Sequence, residues 1–139
     1  MFTKILLAYD GSEHAKKAAK IAGELANKMP ADLWVVTAYD PLPAYLGKPN
    51  MQFAIDSRLD KAQEEMEAAI REIGPISGTL TREILEGPAT EAILNVADVR
   101  GINLIVMGTR GHSRIEGLLM GSHSQKVAAH AHCPVLIVR

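Results

Sequence analysis

Five strand-like segments separated by helical stretches constrain the fold of this chain more than any other feature of its sequence. Residues 5–8 form a continuous apolar run that ends at Asp10-Gly11-Ser12, the turn chemistry found where a buried strand meets a helix. Ser12 is placed to cap that helix. Ala15, Ala18, Ala19, Ala22, Leu25, Ala26 and Met29 then recur at spacings of three and four, one face that closes before Pro30. Its alanines let the helix lie close to a sheet. Residues 33–38 are the second strand, and residues 58–73 return to helical period through Leu59, Ala62, Met66, Ala69, Ile70 and Ile73 until Gly74-Pro75 stops them. Residues 79–85 read as the third strand. Gly87-Pro88 opens a helix with buried face Ile93, Val96 and Ala97, ended by Gly101. Residues 103–107 are the fourth strand, 122–132 the last helix and 134–138 the fifth strand.

Strands joined by helical crossovers must run parallel, so the pattern predicts an open α/β sheet with helices on both faces. At 139 residues the chain is expected to form a single domain, residues 1–139, with a real core. Apolar residues at 47% and charged residues at 22% are a globular balance. No apolar run approaches the roughly 18 residues of a membrane span, and Met1-Phe2-Thr3-Lys4 lacks a signal-peptide pattern, so a cytoplasmic protein without membrane insertion is expected. The single cysteine, Cys133, stands before Pro134 and is expected to be a packed thiol. Residues 40–57 hold three prolines and no apolar period, which reads as a long connection and a candidate flap.

The formal charge of −1 is uneven: four Lys/Arg against one acidic residue from residue 101 onward give +3, leaving −4 before it. An anionic ligand is therefore to be sought in the C-terminal third. There the fourth strand runs into GTRGHSRIEGLLMGS, residues 108–122, longer than a strand-to-helix connection of about 2 to 6 residues needs. Glycines let backbone N–H groups approach a ligand, and a helix N-terminus adds unpaired donors and partial positive charge. Two such nests could hold a phosphate chain. Ser122 and Gln125 fit a capping box that would fix the helix end. Yet glycines after a strand are often turn residues, and the spacing is neither that of the phosphate loop nor that of the dinucleotide fingerprint. The residues by themselves leave both readings open.

Gly108-Thr-Arg-Gly111, nine residues, then Gly121-Ser122 resembles the G-x2-G-x9-G-S/T signature of the ATP-binding branch of the universal stress protein family. KILLAYDGSEHA at the start and LLMGSHSQKVAAHAHCPVLIVR at the end extend the resemblance over essentially the whole chain. It implies a Rossmann-like five-stranded parallel sheet in order 3-2-1-4-5, adenine nucleotide binding and a homodimer. Carried over by position, Ala8, Asp10 and Ala38 match residues around adenine and ribose. Gly108, Arg110, Gly111, Gly121, Ser122 and Ser124 match ribose and phosphate contacts, and Met107 and His123 complete the candidate set. The ligand so implied is ATP, ADP or AMP, with or without magnesium. Asp10 can accept from sugar or base, while Ser122 and Ser124 can donate to phosphate oxygens. Asp10 also reads as the first residue of an Asp-Gly turn, and His123 either donates to the nucleotide or points to water.

His112, His130 and His132 do not form a metal-ligand set, and no nucleophile beside a general base stands out. The reading is a nucleotide-binding stress-response or signalling protein rather than an enzyme, with a slow ATP hydrolase using Asp10 as the alternative. No nucleic-acid partner is expected. Val135, Leu136, Ile137 and Val138 form an apolar strand with no later element to cover it, an edge that invites a second copy of the chain.

Overall fold

The computed structural model describes residues 1–41, 47–109 and 121–139. Its elements follow in the order β1 (Lys4–Ala8), α1 (Glu13–Lys28), β2 (Asp32–Tyr39), α2 (Lys48–Ile73), β3 (Leu80–Glu86), α3 (Ala89–Val99), β4 (Leu104–Gly108), α4 (Ser122–His130) and β5 (Val135–Val138). The strands form one parallel five-stranded sheet in the order β3-β2-β1-β4-β5. The chain thus winds outward from β1 to β3, then crosses back to lay β4 against the other side of β1. That reversal opens a crevice beyond the carboxyl ends of β1 and β4.

The two-residue period of β1 divides the core. Ile5, Leu7 and Tyr9 face the layer of α1 and α2, where Ala15, Ala18, Ala19, Ala22 and Ala26 meet Met66, Ala69 and Ile73. Leu6 and Ala8 face the other layer, where Ile93, Val96 and Ala97 of α3 and Val127 of α4 pack. The alanine face of α1 is wholly buried, because side chains of one carbon let its backbone approach the sheet. Ser12 caps α1 as expected: its Oγ accepts from the Ala15 N–H at 3.2 Å. Gly101, at φ +66°, takes the left-handed conformation that follows the end of α3.

Two local expectations are corrected. The segment read as a connection over 40–57 is helical from Lys48 onward, so α2 has 26 residues, with Gly47 as N-cap and a proline in its first turn. Phe53 is 77% exposed, and among the described side chains none from Met51 to Lys61 is fully buried, so these early turns carry no periodic signal. The last helix is capped by Gly121 rather than Ser122, and Gly121 makes no side-chain capping bond, so the expected capping box does not form.

Candidate functional site

Beyond the carboxyl ends of β1, β2 and β4 lies a cleft of about 350 Å³. Ala8 is paired with Val36 on one side and Met107 on the other, which builds an apolar floor across three strands. Ala38 and Ile93 extend it. The opposite wall is polar and consists of Gly108, Thr109 and the head of α4, Gly121 to Ser124. Asp10 and Asp40 stand at the rim. The described site candidates, Ala8, Asp10, Ala38, Met107, Gly108, Gly121, Ser122, His123 and Ser124, therefore all line one cavity. Arg110 and Gly111 lie outside the described residues.

The head of α4 is held by Thr109. The Thr109 carbonyl accepts from the Gly121 N–H at 2.5 Å and from the Ser124 hydroxyl at 2.8 Å. Ser124 Oγ also lies 3.0 Å from the Gly121 carbonyl. With its proton engaged inside the protein, the Ser124 hydroxyl cannot also donate to a phosphate oxygen, so a contact from Ser124 falls to its backbone amide. The α4 hydrogen-bond ladder begins with Gln125 N–H donating to Gly121 O at 3.1 Å. The amides of Ser122, His123 and Ser124 precede that ladder and form the donor end of the helix. The Gly121 amide, expected to face a ligand, is instead bound to Thr109.

His123 is placed by its neighbour: Nδ1 is hydrogen-bonded to Thr90 Oγ1 at 3.0 Å, joining the first turns of α4 and α3. Asp10 lines the cleft, and its Oδ1 accepts from the Ser12 N–H at 3.0 Å in an Asp-Gly turn. His132, which has no carboxylate near it in sequence, meets Asp98 across space at 3.0 Å. Among the described residues no group of three or more His, Cys, Asp or Glu could hold a metal ion. No described helix is long and apolar enough to cross a membrane.

The model of the universal stress protein family matches residues 1–139. The chain belongs to the universal stress protein family. A universal stress protein of Thermus aquaticus, encoded in the 3′ region of a QAH/OAS sulfhydrylase gene, is 48% identical over 140 residues, covering 100% of both chains. Among solved structures, the universal stress protein UspA from Lactobacillus plantarum superposes with a TM-score of 0.87 at 27% identity, covering 99% of this chain and 98% of that one. A universal stress protein in complex with cAMP has a TM-score of 0.65 at 27% identity, covering 99% and 97%.

In this universal stress protein several cleft residues were not singled out by sequence reasoning. Asp40 follows directly on β2, and its place at a strand's carboxyl end was a signal that could have found it. Thr109 stands inside the glycine signature, where its backbone role is silent in sequence. His14 and Thr90 act on cleft residues from neighbouring helices, through contacts 95 and 33 residues apart in the chain. Cys133 is a half-buried free thiol. Burial, reinforced by Asp98, pushes its pKa up, which fits the expectation of a packed, unreactive side chain.

Proposed function

We propose that this universal stress protein binds an adenine nucleotide in the cleft, base on the apolar floor and phosphates at the head of α4. The carrying observation is the juxtaposition, in one cavity at the sheet's reversal point, of Ala8, Val36 and Met107 with the amide end of α4. A planar base suits the first surface and an anion suits the second. Asp10 and Asp40 at the rim are acceptors suited to ribose hydroxyls. Arg110 and Gly111 of the glycine signature complete the phosphate contacts in this reading. The universal stress protein bound to cAMP, which shares the fold at 27% identity, supports an adenine ligand. Magnesium, in this reading, arrives on the phosphate chain.

Occupied and empty states then present different surfaces to a partner, which makes the protein a nucleotide-dependent element of stress response or signalling. In this reading two copies of the chain join through β5. Mass spectrometry of the purified protein after denaturation tests the binding reading: a released adenine nucleotide in near-stoichiometric amount is expected, and its absence together with no uptake of added ATP would overturn it. The slow-hydrolase alternative rests on the Asp10 carboxylate in the cleft. ATP held with equimolar protein and magnesium should persist for many minutes, against about 1 to 10³ turnovers per second for typical enzymes. Several turnovers per protein over a longer incubation, abolished by Asp10→Asn, would favour the hydrolase.

A further inference from the structure

Thr109 joins four elements. It follows β4 and is 3% exposed. Its N–H donates to the Val138 carbonyl at the end of β5 at 2.8 Å, and its carbonyl receives Gly121 N–H and Ser124 Oγ from the head of α4. Its hydroxyl is hydrogen-bonded to Nδ1 of His14, in the first turn of α1, at 2.5 Å. The first three bonds use backbone groups of Thr109. The fourth uses its side chain, and among the described residues it is the bond from Thr109 that reaches across to α1. Reorienting the Thr109 backbone would break the bonds that seat α4.

We propose that His14 is a positioning residue for the phosphate end of the cleft, an inference that rests on the nucleotide-binding reading. His14 holds the Thr109 hydroxyl, Thr109 presents a fixed carbonyl, and that carbonyl seats Gly121 and Ser124. The amides of Ser122, His123 and Ser124 are aimed as a consequence. A hydrogen-bond donor array stabilises an anion only when its donors converge, so a small tilt of α4 weakens several contacts together. The apolar floor does not depend on this linkage. Its geometry is set by the pairing of β1 with β2 and β4. His14 therefore bears on phosphate recognition and leaves base recognition unchanged.

Calorimetry with ATP, and competition with adenosine, which carries the base and ribose but no phosphate, separate the two surfaces. His14→Ala is expected to lower ATP affinity about tenfold, the effect of losing one well-placed hydrogen bond, while adenosine affinity stays within about twofold. Thr109→Val should act alike, and adding His14→Ala to it should cost nothing further, since both remove the same bond. His14→Asn, whose amide can reach the position of Nδ1, should restore most of the ATP affinity. Unchanged ATP affinity in His14→Ala, or equal losses of ATP and adenosine, would overturn the positioning role while leaving the nucleotide reading intact. A wild-type protein that binds neither ligand would overturn both.

Discussion

A Cβ placed on Gly108 would lie 2.8 Å from the Cβ of His14 and 2.9 Å from the Ala15 backbone nitrogen. The first glycine of the signature is therefore needed for packing: the first turn of α1 closes onto the end of β4 at a distance only glycine allows. Its φ is not in the left-handed region, where Gly11, Gly74 and Gly101 are found among the described residues. Gly108→Ala is expected to destabilise the protein by about 1–3 kcal/mol, as overpacking of a filled site does. Thermal or urea unfolding checks this, and an unchanged midpoint would mean α1 can retreat freely.

The two serines at the head of α4 should separate in stability. Ser124 is buried with its hydroxyl bonded to the Thr109 carbonyl, so Ser124→Ala should cost about 1–2 kcal/mol. Ser122 is exposed and does not cap the helix, so Ser122→Ala should stay within about 0.5 kcal/mol. Denaturant midpoints of both variants give the ordering directly. The reverse ordering would restore Ser122 as the cap.

The sheet was legible in the sequence because its signals are local and repeated. The run around Ile5 to Ala8, the alanine spacing of α1 and the turn at Asp10-Gly11-Ser12 each fix an element without help from distant residues. The N-terminal turns of α2 were not legible, since Phe53 faces outward and no apolar stripe marks a helix that leaves the core. The same division holds at the site. The family resemblance carried Ala8, Asp10, Ala38 and Met107 onto the strand ends, and its glycine signature marked the head of α4; the described ones all line the cleft. The engagement of Ser124 with Thr109, of His14 with Thr109 and of His123 with Thr90 depends on where helices settle, which spacing alone does not encode.

Tyr9 gives a pH-dependent prediction. Its ring is 3% exposed, its hydroxyl has no hydrogen-bond partner among the described residues, and burial pushes its pKa above the ordinary 10.0. Lys16 opposes that shift, while Glu72, Glu65 and Asp10 add to it. A folded-state pKa above the unfolded value means the folded state holds the proton more tightly. The contribution is then full below the unfolded pKa and is lost as pH rises through the interval above 10. Tyr9→Phe should remove that part of the alkaline decline and leave stability at neutral pH unchanged or slightly raised, because an unpaired buried hydroxyl is deleted. Urea midpoints at neutral pH and in the alkaline range test it. A Tyr9→Phe protein with the same alkaline slope as wild type would contradict it.

The β5 edge supplies a prediction about assembly. β5 is the outer strand of the sheet, and Leu136 is 37% exposed on it. If two copies join through this edge, wild type should sediment as a dimer at micromolar concentration, and Leu136→Lys should shift it toward monomer by placing a charge in the contact. A wild type that sediments as monomer throughout would remove the dimer from the account.

The most direct test is ATP binding by Gly121→Val, measured by calorimetry beside wild type. Gly121 has φ −73° and ψ 162°, extended backbone that valine adopts without strain, so the variant should keep its circular dichroism spectrum. Gly121 lines the cleft beside the head of α4, where the proposed reading puts the phosphates, and valine adds a branched side chain there. ATP affinity is expected to fall by more than about tenfold in the folded variant. Equal ATP affinity in the folded variant and wild type would contradict the placement of phosphates at the head of α4.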